Sequence, residues 1–246
     1  MLRDKIKAFN IYMPLITSLT SEAIKPDDWK ELAASVNEGI DPPEELTLQK
    51  MIDWQLLDHM EQIEEITTKA EKKYNLEKQL EAMKMEWKDR ILLVVDYKTT
   101  FVIKGYDDIQ NNVDDQISNT QAMLGNQFCA GNLKRAAKEW EQKLFLLSDI
   151  LEEIQKCQRT WLYLEPIFNS DDIIKKMAKE HKLFKDVDEL WRDTMENTNR
   201  EPAVLDLVER EGIKESFEKS NHKLDEIQKV SKYILNIFNY IYLFSI

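Results

Sequence analysis

WEQKLFLLSDILEEIQKCQRTWLYLEPIFNSDD, Trp140 to Asp172, decides the reading of this chain. Its apolar residues fall at Trp140, Leu144, Leu147, Leu151, Ile154, Cys157, Trp161, Leu164 and Phe168. The gaps alternate between three and four, the period of one helix face. Charged residues such as Glu141, Lys143, Glu152, Lys156 and Arg159 take the other faces. At ~1.5 Å per residue the helix extends about 40 Å, so it reads as a spine. Pro166 ends or kinks it. Asn169 or Ser170 then caps the next helix, with Asp171 and Asp172 in its first turn.

Around this stretch the composition points the same way. Of 246 residues, 43% are hydrophobic and 33% charged, enough for a core and too charged for a membrane protein. Five glycines and six prolines are few for a β-sandwich or barrel, which favours a mainly helical chain. The net charge of −12 argues against a nucleic-acid or anionic-membrane binder. Cys129 and Cys157 lack C-x-x-C spacing and read as reduced thiols. No secretory signal opens the chain.

Upstream, residues 1–19 read as a helix, a bend at Pro14 and a short helical run. Pro26 opens a helix carrying Trp29, Leu32 and Val36 and stopping at Gly39, before a loop at Pro42 and Pro43. Thr47 opens a longer helix through Ile66 that breaks near Asn75, and a second runs from Leu76 to Lys88. The period then changes: 91–96 and 101–104 are short β-type runs, one hairpin that must lean on helices. Residues 107–124 form a helix, and 125–132 a loop. After the spine come a short helix over 171–180, another marked by Phe184, Val187, Leu190, Trp191 and Met195, a helix from Ala203 to Arg210, and a last one from Ile213. The expected fold is mainly α, an elongated array of helical bundles with one short hairpin.

Chemistry is sparse. A P-loop needs G-x-x-x-x-G-K-[ST], and Gly39, Gly105, Gly125, Gly131 and Gly212 offer no such spacing. His59, His181 and His222 are isolated, with no metal-ligating or general-base pattern. There is no G-x-S-x-G elbow. No catalytic, cofactor-binding or metal-ligating residue is assigned, and the chain reads as non-enzymatic. The aromatic residues serve as core, or as a lever or docking surface. The core reading is the favoured one, and the two are compatible.

Cys157 to Ile173 resembles the signature of the dynein heavy-chain linker, close to "QR-x-WLYLE-x-IF-x-S-x-DI". The residues that carry it are Gln158, Arg159, Trp161, Leu162, Tyr163, Leu164, Glu165, Ile167, Phe168, Asp172 and Ile173. The likeness continues in 13–16 with Trp29, in Tyr74 to Met83 with Trp87, in Tyr97, Lys98 and Gly105, and in 107–123. Trp140 belongs to the spine, and Phe184 to Met195, with Trp191, matches "F-x-x-VD-x-x-W-x-x-x-M". The run DIIKKM, Asp172 to Met177, looks more like axonemal inner-arm chains than cytoplasmic dynein. Departures are Asp28 where histidine is common, a loop reading NQFCAGNL at 126–133, and Ala178 in place of proline.

The resemblance implies a mechanical lever over residues 1–236, without catalysis of its own. It arches over an AAA+ ring in the same polypeptide, and ATP with Mg is held in that ring. Intermediate and light chains, and microtubules through the whole complex, are the implied partners, in a cilium or flagellum, with no nucleic acid or membrane. Candidate joints are Pro42–Pro43, 125–132 and the region of Pro202. The alternative is a free-standing helical adaptor docking onto ciliary proteins. The apolar tail, 237–246, departs from the family. It reads as a truncated gene model or retained intron, with a genuine short product or weak tail anchor as alternatives.

Overall fold

A computed structural model describes residues 2–36 and 46–243. The expected helix stop at Gly39, the loop at Pro42–Pro43 and the last three residues lie outside them. The fold is mainly helical with one two-stranded antiparallel sheet. The residues group into two compact units. One comprises Met1–Ala82 and Met123–Ala136, the other Met83–Ala122 and Ala137–Ile246.

The first unit begins with α1 (Leu2–Asn10), α2 (Met13–Leu19) and α3 (Pro26–Val36). Pro26 opens α3 as expected, and Asp28 reaches back to accept from the Lys25 backbone N–H at 2.8 Å. That contact gives a helix start its missing acceptor and sets a carboxylate at the positive end. α4 (Leu48–Asp53) is capped by Thr47, whose side chain accepts from Lys50 N. The helix then stops, contrary to the expectation of a run through Ile66. Gln55 adopts left-handed backbone (φ 52°), and a short 3₁₀ turn, Leu56–His59, leads into α5 (Met60–Lys88). The reason is packing. Met51 and Leu56 are both buried, and residues five apart on one helix lie about 140° apart. The kink brings both to one core.

The expected break at Asn75 does not occur: α5 runs through it. Asn75 is exposed on the solvent side, where asparagine costs a helix only ~0.7 kcal/mol. The core of this unit is Leu15 and Leu19, Trp29 and Leu32, Met51, Leu56, Ile63 and Ile66. Each helical pair is three or four residues apart, so each helix offers one face.

In the second unit, β1 (Leu93–Tyr97) pairs with β2 (Thr100–Lys104) in the register Tyr97 to Thr100, Val95 to Val102 and Leu93 to Lys104. The two-residue turn lacks glycine, and Lys98 takes the positive φ of 52° instead. Gly105 (φ 70°) then turns the chain into α6 (Tyr106–Leu124). α7 spans Gly131–Leu164, nine residues earlier than Trp140 and so about 51 Å long at ~1.5 Å per residue. Every residue of the expected face, Trp140 through Phe168, is buried. Pro166 does end the helix. Phe168 N bonds back to Leu164 O at 3.0 Å, so the turn folds Phe168 onto the core.

α8 (Asp171–Lys176) starts at Ser170, whose side chain makes no cap hydrogen bond. α9 (Ala178–Arg200) begins earlier than expected and takes up 178–180. The helix expected over Ala203–Arg210 shrinks to α10 (Asp206–Glu209). Ala203 is held in a bridge and 204–205 form a turn: Leu92 N donates to Pro202 O at 2.7 Å and Val204 N to Arg90 O at 2.9 Å. Ile91 and Ala203 form an antiparallel bridge. Pro202 has no N–H to give and sits where only its carbonyl is needed. α11 covers Ile213–Leu243. Among the described residues no helix is long and apolar enough to cross a membrane.

Candidate functional site

The signature segment closes on the hairpin. Gln158, near the end of α7, is buried. Its Oε1 accepts from Ile103 N and its Nε2 donates to Ile103 O, both at 2.8 Å. One side chain thus satisfies both outward backbone groups at a point on β2. Left unpaired in the interior, each would cost ~1–3 kcal/mol. The sheet has two strands, and this amide stands where a third would pair.

One turn on, Trp161 is fully buried and stacks on Trp191 of α9, ring centroids 5.4 Å apart. Tyr97 of β1 meets the Trp161 ring edge-on at 5.6 Å, and Phe217 of α11 meets Trp191 edge-on at 6.2 Å. The column Tyr97–Trp161–Trp191–Phe217 therefore draws on four elements. Such aromatic pairs add ~0.5–1.5 kcal/mol beyond the area they bury. The Trp161 indole N–H donates to Asp188 Oδ1 at 2.9 Å, and Arg192 Nε donates to Asp188 Oδ2 at 2.7 Å. Arg192 Nη1 then reaches Thr99 Oγ1 in the hairpin turn at 2.8 Å.

A second tie runs parallel. The Glu165 side chain is 7% exposed. Its Oε2 pairs with Lys98 Nζ and its Oε1 accepts from Asn169 Nδ2 at 2.9 Å. A carboxylate so buried is tolerable only with such partners. The carboxylate in turn holds the Lys98 ammonium above its ordinary value. Beyond it, Phe168 stacks on Phe184 at 5.0 Å. Lys98 and Thr99, the turn residues, are thus bonded to the end of α7 and to α9.

The structure brings together Gln158, Trp161, Leu164, Glu165, Phe168, Phe184 and Trp191. Trp87 and Trp140 are buried, with indole N–H groups that have no hydrogen-bond partner. Trp29 belongs to the core of the first unit. Leu162, Ile167 and Ile173 are half-buried, and Arg159, Tyr163 and Asp172 are exposed. Sequence reasoning missed Arg192 and Thr99, and it gave no bonding role to Asp188, which stands in the matched pattern, or to Asn169, which it took as a helix cap. The available signal was Asp188 and Arg192 at i,i+4 on α9, flanking Trp191.

Neither thiol is activated. Burial, with Glu153 nearby, pushes Cys157 up to about 12, and burial also raises Cys129. Among the described residues no three His, Cys, Asp or Glu side chains lie close enough to hold a metal ion. What the site does is fix a hairpin to two helices in one geometry.

Comparison with known proteins follows this pattern. The sequence profile of "Dynein heavy chain, N-terminal region 2" matches residues 1–236. Similar proteins include Dynein axonemal heavy chain 1 of Mus musculus, 32% identical over 236 residues and 95% of this chain. Dynein axonemal heavy chain 3 of Homo sapiens is 34% identical over 227 residues, 92% of this chain. Dynein axonemal heavy chain 12 of Homo sapiens is 34% identical over 214 residues, 86% of this chain. The chain spans only 6% of the first two relatives' own length and 7% of the third's. The match over nearly the whole chain assigns it to the dynein heavy chain family, to the part called N-terminal region 2.

Proposed function

We propose that this chain acts as a mechanical lever in a dynein motor. In that role it is the linker segment that couples ATP-driven changes in an AAA+ ring to movement along a microtubule in a cilium or flagellum. The observation that carries this reading is the tie between the end of α7, α9 and the hairpin. An element that transmits force needs parts that do not deform under load. Here Gln158, Trp161 and Glu165 bond a two-stranded hairpin, marginal by itself, to two long helices. The names of the similar proteins, all axonemal heavy chains, support the ciliary setting.

ATP with Mg belongs to the ring in this reading, and the glycine spacing of this chain does not fit a P-loop. The ring is the partner in cis, and intermediate and light chains are partners of the whole complex. The test is a chimera in which this segment replaces its counterpart in a complete axonemal heavy chain. The expected result is ATP turnover and microtubule gliding with the segment present, and turnover without gliding when it is deleted. Normal gliding after deletion overturns the proposal.

A further inference from the structure

Gln55 is exposed and carries left-handed backbone (φ 52°, ψ 35°) between α4 and α5. That region is unfavourable for any residue with a Cβ. Outside glycine only Lys98 shares a positive φ among the described residues, and Lys98 sits in a two-residue hairpin turn that calls for it. No hairpin surrounds Gln55. Helix precedes it, with Trp54 N bonded to Lys50 O at 3.0 Å, and the 3₁₀ turn follows, with Asp58 N bonded to Gln55 O at 3.0 Å. A 3₁₀ stretch inside a helical run marks strain or a joint.

The side chains around the kink suit two arrangements. At about 100° per residue, one straight helix from Leu48 into α5 sets Ile52 and Leu56 each within about 20° of buried Ile63. The same helix sets Met51 about 120° away. In the kinked chain Met51 is buried and Ile52 is 40% exposed. Ile52 thus has a place in the core only when the helix is straight, and Met51 only when it is kinked. The two side chains gain similar amounts from burial, so their exchange is close to neutral. Straightening also returns Gln55 to right-handed backbone. Against it, Trp54 and Leu57, half-buried beside the core, turn to about 180° and 120° from Ile63. The kinked form is therefore the major one.

We propose that residues 48–60 are a two-state joint, in which α4 and α5 interconvert between the kinked arrangement and one continuous helix and exchange Met51 for Ile52 in the core. The joint lies within the first unit and does not depend on the lever reading. The test is relaxation-dispersion NMR on the isotopically labelled 246-residue chain, read at Gln55 Cα and at the Met51 and Ile52 methyl groups. Exchange is expected at all three with one rate, and the minor-state shift of Gln55 Cα has its right-handed helical value. Gln55→Gly, free of the left-handed penalty, lowers the minor population about tenfold. Ile52→Ala lowers it about tenfold and Met51→Ala raises it about tenfold, because each truncates the side chain that one form buries. Exchange absent at Gln55, a minor state that is not helical there, or a population moved the same way by both alanine variants overturns the proposal. If Met51→Ala does not fold, an unchanged population in Gln55→Gly or Ile52→Ala overturns it equally.

Discussion

In the first unit the interior is closed by leucines, isoleucines, a methionine and one tryptophan, and its ion pairs, such as Lys69 with Glu31 at 2.7 Å, lie at the surface. In the second, the interior is closed by Trp161, Trp191 and Phe217, and buried polar groups are bonded inside it: Gln158 to Ile103, Trp161 to Asp188, Glu165 to Lys98. The first arrangement is held by contacts without direction, which tolerate exchange of similar shapes. The second is held by directional bonds whose loss leaves a buried group unpaired. The prediction is that the two interiors respond differently to substitutions of similar size.

The largest difference is expected at Trp161. Trp161→Ala removes the centre of the aromatic column and destabilises by about 3–5 kcal/mol, measured by denaturant unfolding. Trp161→Phe keeps a ring in the stack but takes the donor from Asp188, and still costs about 1–3 kcal/mol. Gln158→Leu preserves volume and orphans Ile103 N–H and C=O, for a loss of about 2–4 kcal/mol. Amide hydrogen exchange at Ile103 separates this from general destabilisation, because that amide loses protection first. In the first unit, Leu56→Met costs less than about 1.5 kcal/mol despite the full burial of Leu56. If it costs as much as Gln158→Leu, the contrast between the two interiors is wrong.

The smallest effect concerns pH. Glu165 raises Lys98 above its ordinary value of 10.5 in the folded chain. A cation whose folded value is raised contributes stability in full below its unfolded value, and loses it as pH rises through the folded one. The stability difference between the wild type and Lys98→Met is therefore constant near neutrality and shrinks above pH 10.5. Unfolding measured from pH 8 upward on both chains checks the sign.

The spine was legible because its periodicity is long and regular, and all nine expected positions from Trp140 to Phe168 are buried. The hairpin was legible from β-branched runs bounded by turn residues. The failures share a cause. Asn75 carries a cap-like side chain, yet its helix continues because the cap signal is local and weak beside the packing of the residues on either side. Gln55 carries no turn signal, yet the chain bends there to bury Met51 and Leu56 together. A helix starting at Ala203 fails because nothing local reveals that Arg90 to Leu92, the segment leading into β1, is within reach of Pro202 to Val204.

The sequence by itself determined the mainly helical class, the apolar face of the long spine helix, and the family, through residues whose order is set along one stretch of chain. Tertiary structure alone decided which polar groups meet. Gln158 and Ile103 are 55 positions apart, and Arg192 and Thr99 are 93 apart. Periodicity reports on how a segment meets an average environment, whereas a directional bond depends on two particular atoms that only the folded chain brings within 3 Å.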